Sequence, residues 1–125
     1  EKALDKKLIM YCANPDFETI NINSNKNIFC MGTIAEIYKQ IGGEVIIKGK
    51  PDCYIYIETT KSFKLEKTKT IAIGDSIFHD IKGANNFSID SILIQSGIHK
   101  ELENINKLCK NHQIEPTYLL NNFSL

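Results

Sequence analysis

Arginine is missing from this sequence: all 15 basic residues are lysine, and 15 acidic residues bring the formal net charge to zero. That balance removes the usual grounds for expecting nucleic acid or an anionic membrane surface as a partner. Without a guanidinium fork, any bound anion must be held by ammonium groups and backbone amides. No apolar run approaches the ~18 residues of a membrane helix, and no signal peptide opens the chain. The four cysteines (Cys12, Cys30, Cys53 and Cys109) form no CxxC pair and have no histidine at zinc spacing. They read as reduced thiols, which points to a cytoplasmic protein. The chain starts at Glu1 without an initiator methionine, so a cut N-terminus is one expectation.

What is present suits one modest core, the most that 125 residues support. Residues 3–7 resemble the tail of a helix, and "LIMYCA" (8–13) is a strand candidate stopped by the turn signal "NPD". Residues 17–30 are rich in Asn and Ser and read as a loop or loose hairpin. Ile34, Ile37, Tyr38 and Ile41 have helical spacing within 32–43, and Gly42-Gly43 stops that helix. "EVIIKG" is a short strand, and "KPDCYIYIETTKSF" is a helix with proline near its first turn. After a lysine-rich connection (61–69) come a strand over 70–74, a helix over 78–87, a strand over 90–97 and a helix over 99–112. "PTYLLNNF" closes the chain as a last strand or edge segment. From residue 45 onward, short apolar strands alternate with helices, the pattern of parallel βαβ units.

"TIAIGDSIFHDIKGA" (70–84) carries the clearest chemistry. In parallel α/β sheets, ligands gather at the carboxyl ends of strands, and Asp75 stands at such an end directly after Gly74. Capping the next helix would account for Asp75 alone. It does not account for Asp80, five residues on. Two hard oxygen donors suit Mg²⁺, which takes few carboxylates and keeps several waters. Lys50, between Gly49 and Pro51, stands at the end of one strand and the start of the next helix. By itself it would be a solvated loop lysine. One βα unit before Asp75 it can aim an ammonium at an anion, and the two together make a phosphate-plus-metal site.

With "GKPD…IAIGDSIFHDIKGANNFSIDSILIQSGIH", the sequence resembles the haloacid dehalogenase (HAD) superfamily of phosphohydrolases. More narrowly it resembles subclass IIA, the nitrophenylphosphatase and nucleotide-phosphatase-like group with a large inserted cap. "CANPD" followed by "GTIAEIYKQIGGEVIIKGKP" is similar to the late part of that cap returning to the core. The resemblance implies an α/β chain in two parts. Residues 1–45 would be the late part of a C2-type cap, and 46–125 the C-terminal half of a Rossmann-like core. It further implies a catalytic lysine at Lys50, Mg²⁺ ligation by Asp75 with support from Asp80, and cap residues Asn14 and Asp16 facing substrate. The expected substrate is a small phosphorylated metabolite.

One departure outweighs these matches. The superfamily's nucleophile is the first acid of a DxD motif. None of Asp5, Asp16, Asp52, Asp75, Asp80 or Asp90 is followed by aspartate two residues later. "NPDFET" places Asp16 before Glu18, but an Asn-Pro turn stands where a buried strand should lead in. The chain therefore reads as the C-terminal half of a Mg²⁺-dependent phosphatase, with no nucleophile of its own. It would be inactive alone and would need the missing half, or self-association, to cover apolar surface.

The rival is a non-catalytic remnant that binds a partner. A receiver-like domain is weaker, because its phospho-accepting aspartate on a preceding strand is also missing. His79 reads as a partly exposed helix residue, His99 as structural and His112 as a cation at a helix end. Cys12 and Cys53 lack the spacing of a Cys/His hydrolase. Lys61, Lys64, Lys67 and Lys69 read as a solvated connector.

Overall fold

The computed structural model describes residues 2–21, 26–97 and 104–123, and they divide into two compact units, 1–49 and 50–125. The strand "EVIIKG", at the expected 45/46 boundary, belongs to the first unit. There it pairs with a strand near the N-terminus, which moves the division to the Gly49–Lys50 junction.

In the first unit, α1 (Lys2–Asp5) leads into β1 (Met10–Cys12). The Asn-rich stretch forms an antiparallel hairpin of β2 (Glu18–Asn21) and β3 (Lys26–Phe29). The helix α2 (Met31–Gln40) then returns the chain to β4 (Val45–Ile47), parallel to β1 with Met10 opposite Val45 and Cys12 opposite Ile47. Parallel partners require such a crossover. Buried Gly32 and Ala35 let α2 pack closely, and Gly32 N–H donates to the Asp16 carbonyl at 2.9 Å. The Tyr38 hydroxyl donates to the Leu8 carbonyl at 2.7 Å and pins the helix to the entry of β1. The other side of α2, with Ile34, Ile37 and Ile41, is exposed.

In the second unit, α3 (Tyr54–Phe63) precedes a three-stranded parallel sheet in the order β5 (Ile71–Gly74), β6 (Asp90–Ile94), β7 (Tyr118–Leu120). A 3₁₀ turn (Lys67–Lys69) fills part of the lysine-rich connection. The expected helix over 78–87 is of two kinds: a π-type turn over Ile77–Ile81, then α4 (Lys82–Phe87). The bond from Ile81 N–H to the Ser76 carbonyl, 3.1 Å, spans five residues rather than four. The last helix, α5, is described over Ile105–His112 with Asn104 as its cap; residues 99–103 of the expected 99–112 helix, with His99, lie outside the described residues.

Register decides where the core lies. Side chains alternate across a strand, so Ala72 and Gly74 of β5 share a face with their partners Ser91 and Leu93 of β6. On that face Leu93 packs with Ile77, Ile81, Ile105, Cys109 and Ile114. Beside it, Ala84, Phe87 and Ile89 pack against Ala72, Cys53 and Tyr56. The opposite face carries Ile71 and Ile73, half-buried Ile92 and Ile94, and exposed Tyr118 and Leu120. Ile71 and Ile73 remain 42% and 46% exposed. One face of the sheet is a core, and the other has no cover among the described residues.

Side-chain staples hold β7 in place. Asn85 Nδ2 donates to the Glu115 carbonyl at 2.9 Å, and Glu115 N–H donates to Asn85 Oδ1 at 2.8 Å. Ser91 N–H donates to Thr117 Oγ1 at 3.0 Å.

Candidate active site at the carboxyl end of β5

Gly74 ends β5 and has no room for a side chain: a Cβ there would collide with the Asp80 carboxyl group. The chain then turns through Asp75 and Ser76. Ser76 caps the π-type turn, its hydroxyl accepting from His79 N–H at 3.2 Å and lying 2.9 Å from His79 Nδ1. The five-residue turn carries Asp80 back over Gly74. There its Oδ2 accepts from Ser76 N–H at 3.1 Å, and its Oδ1 accepts from the Lys50 ammonium.

Asp80 is buried, its side chain 11% exposed, whereas the Lys50 side chain is 49% exposed. A buried carboxylate needs its charge matched and its lone pairs occupied. Lys50 and Ser76 do both, and half of the Lys50 side chain stays in solvent. Lys50 enters the unit through a cis peptide bond to Pro51. Asp75, half-buried, lies against Gly97, where again no side chain could fit.

Behind the pair stands Tyr56 of α3, whose hydroxyl donates to the Asp80 carbonyl at 3.0 Å. Its ring stacks on Phe87 with centroids 5.7 Å apart. Burial, followed by the Asp80 charge and Cys53, pushes the Tyr56 phenol up to about 12, so it stays a neutral donor. A groove of about 340 Å³ runs from Lys50 and Asp80 along the open edge of β5, between Ile71, Ile73 and the α3 residues Ile55 and Tyr56.

The residues singled out in sequence thus separate into two groups. Lys50, Asp75 and Asp80 belong to the second unit, and Lys50 and Asp80 are in contact across 30 residues of sequence. Asn14 and Asp16 belong to the first unit, where Asp16 N–H donates to Asn14 Oδ1 at 3.2 Å in a local turn. His79 contributes to the turn through Ser76, and His112 packs edge-on against Phe78 at 4.9 Å. Among the lysines of the connector, Lys67 is not simply solvated. It donates to the Phe87 carbonyl at 2.9 Å and lies 3.7 Å over that ring.

Tyr56 and Ser76 were not evident in the sequence. A serine three residues before His79 at a helix start is a readable cap signal, whereas Tyr56 looks like any half-buried residue of an amphipathic helix.

Mg²⁺ would find two carboxylates here, Asp75 and Asp80, at the end of one strand. No group of three histidine, cysteine or acidic side chains able to hold a metal occurs among the described residues. Such a donor set fits Mg²⁺, which accepts one or two carboxylates and fills its octahedron with water and phosphate oxygens.

Comparison with known proteins bears on the whole arrangement. The model of the HAD-hydrolase-like family matches residues 47–124. No sequence among curated proteins matches the chain. Among solved structures, the chain is similar to a p-nitrophenyl phosphatase from Archaeoglobus fulgidus (23% identity, TM-score 0.78), which it covers over 97% of its own length and 46% of that chain. It is similar also to a haloacid dehalogenase-like hydrolase from Brucella suis (27% identity, TM-score 0.73), covering 98% of itself and 47% of that chain. A third is a possible sugar phosphatase of the HAD superfamily from Cytophaga hutchinsonii, at 22% identity and TM-score 0.77, with 94% and 43% covered. The chain spans less than half the length of these structures.

Proposed function

Because the chain belongs to the HAD-hydrolase-like family, we propose that it forms the phosphate- and metal-holding half of a Mg²⁺-dependent phosphomonoester hydrolase. The observation that carries this reading is the contact between Lys50 and Asp80 over Gly74, with Asp75 on the same strand end. The Lys50 side chain stays half in solvent while Asp80 holds its ammonium in place, so it can steady an incoming phosphoryl group and the carboxylate that attacks it. Asp75 would ligate Mg²⁺ directly, and Asp80 would orient Lys50 and the metal's waters. The ion, when bound, neutralises phosphate charge.

The attacking carboxylate comes from the part of the fold that this chain does not span. It would displace the alcohol from phosphorus, the leaving oxygen taking a proton from water, and a second water would then cleave the acyl phosphate, returning the carboxylate and inorganic phosphate. The substrate is a small phosphorylated metabolite, with Asn14 and Asp16 of the first unit contributing to its selection.

The test begins with Mg²⁺ titrated into the 125-residue chain and followed by the amide resonances of residues 74–80. Saturable shifts with the wild type and none with Asp75→Asn are expected. Equal shifts in both proteins would overturn the metal assignment. The chain alone should release no p-nitrophenol from p-nitrophenyl phosphate. Turnover by the chain alone would overturn the claim that its nucleophile lies elsewhere.

A further inference from the structure

A second groove, of about 470 Å³, lies on the flank of α3 turned away from β5. Thr60 lines both grooves, but Ile55 and Thr59 line the first, whereas Ile57 and Lys61 line the second. Positions 55 and 59 share one side of a helix, and positions 57 and 61 lie about 200° around it. Extension of the sheet beyond β5 would proceed along the first flank and not the second.

The chain builds this groove by doubling back. α3 ends where Lys64 takes a left-handed conformation (φ 52°), and Leu65 N–H then donates to the Thr60 carbonyl at 2.8 Å. The reversal brings exposed Leu65 into the same groove as exposed Ile57, with Phe87 of α4 as the buried floor. Lys67 lines it too, its ammonium 3.7 Å from the centre of the Phe87 ring and bonded to the Phe87 carbonyl at 2.9 Å. That bond uses one of three ammonium donors and fixes the charge at the groove. Lys61, in the last turn of α3, is the second cation. A lysine there also answers the negative end of the helix, which would by itself explain Lys61. It does not explain Lys67, which belongs to the following 3₁₀ turn.

No acidic side chain among the described residues lines this surface, and Glu66, the one acid of the connector, pairs with Lys69 at 2.9 Å. The groove is therefore apolar, recessed and doubly cationic. An inorganic anion would use the lysines and leave Ile57 and Leu65 in water. An uncharged apolar ligand would leave the ammonium groups unmatched. A bilayer takes up apolar side chains that protrude, and this surface is a recess. Its complement is an apolar side chain flanked by carboxylates.

We infer that this groove docks a short acidic segment of a partner protein. An aliphatic or aromatic side chain of that segment enters between Ile57 and Leu65 over Phe87, and neighbouring carboxylates meet Lys61 and Lys67. The groove is far smaller than a standard protein interface, so the attachment is weak and transient. It does not depend on the phosphatase reading, because none of its residues belongs to the site at Lys50.

The probe is a blocked tetrapeptide of glutamate, leucine, phenylalanine and glutamate, with glutamine replacing both glutamates in the control. Each is added to the 125-residue chain and followed by the amide resonances of residues 57–67 and the Nζ signals of Lys61 and Lys67. Saturable shifts are expected there at millimolar peptide, with residues 71–74 unmoved. The glutamine control, and the acidic peptide with Lys61→Glu, should each bind about fivefold more weakly. Leu65→Ser should weaken binding by about as much through lost apolar contact. Both positions are exposed, and both variants should keep the wild-type circular dichroism. Absence of saturable shifts, or shifts that neither variant weakens, would overturn the site. Equal binding of the two peptides would overturn the pairing with the lysines, and with it the inference. Equal affinity for inorganic phosphate would reduce the site to an anion contact without an apolar anchor. Sedimentation with anionic phospholipid vesicles, without binding of the peptide, would assign the surface to a membrane. Either result would also overturn the inference.

Discussion

The Tyr56 hydroxyl donates to the backbone carbonyl of Asp80 at 3.0 Å and so ties α3 to the turn that presents Asp80 to Lys50. Tyr56→Phe keeps the ring on Phe87 and removes this bond, at a cost of about 1 kcal/mol in urea unfolding. The same variant tests the raised phenol pKa. A group whose pKa rises from 10.0 to about 12 on folding contributes stability that is whole below pH 10 and lost as pH climbs toward 12. Wild-type stability should decline across that window more steeply than that of Tyr56→Phe. Parallel declines would show that the phenol is not the group responsible.

Lys50→Met leaves the Asp80 carboxylate buried, with Ser76 N–H as its remaining partner among the described residues. Breaking a fully buried pair costs about 3–5 kcal/mol, but the Lys50 side chain is half exposed. A loss of about 1.5 kcal/mol, the lower end for hydrogen bonds to charged groups, is expected from urea midpoints. Asp80→Asn, which removes the buried charge and keeps an acceptor for Ser76, should cost less than Lys50→Met. The reverse order would show that the pair is not held by charge.

Gly74→Ala drives a methyl group into the Asp80 carboxyl group, and the turn must shift to relieve it. Overpacking of this kind costs about 1–3 kcal/mol, which lowers Tm by at least about 4 °C in a domain of this size. The change should also release Lys50, seen as a shift of its Nζ resonance. An unchanged Tm together with an unchanged Lys50 signal would contradict the packing of Asp80 on Gly74.

Asn85→Ala removes both bonds to the Glu115 backbone, for a loss of about 1–2 kcal/mol. Because those bonds fasten the approach to β7, hydrogen exchange at Tyr118–Leu120 should speed up more than at β5. Uniform acceleration across the sheet would indicate that β7 is held by its ladder alone.

The strand and helix pattern was legible because periodicity records burial. Ile34, Ile37, Tyr38 and Ile41 marked α2, and the alternation after residue 45 marked the parallel units. Lys50, Asp75 and Asp80 were singled out because strand-end position and residue chemistry coincide, and the fold brings Lys50 and Asp80 into contact. The partition of the chain was less so. Nothing in "EVIIKG" says which of two sheets it joins, and its pairing with β1 is a tertiary choice. The π-type turn was hidden as well, since Ile77 and Ile81 are spaced as an α-helix would space them. Tyr56 escaped because its function lies in a bond to a backbone carbonyl, which has no sequence signature. The lysine connector misled for a related reason: the aliphatic stem and ammonium of Lys67 lie over Phe87, and only the fold brings that ring beneath it.

The wide turn between Ser76 and Lys82 makes the site sensitive to length. An α-helical turn with one residue fewer would leave the flanking chain nearly undisturbed while rotating the residues after it by about 100° about the axis. Asp80 would then point away from Gly74, and Lys50 would lose its partner although both side chains remained. Deleting a residue here should therefore be as damaging as mutating the acid itself. The spacing between Ser76 and Asp80 is a structural element in its own right, encoded by how many residues intervene rather than by which ones.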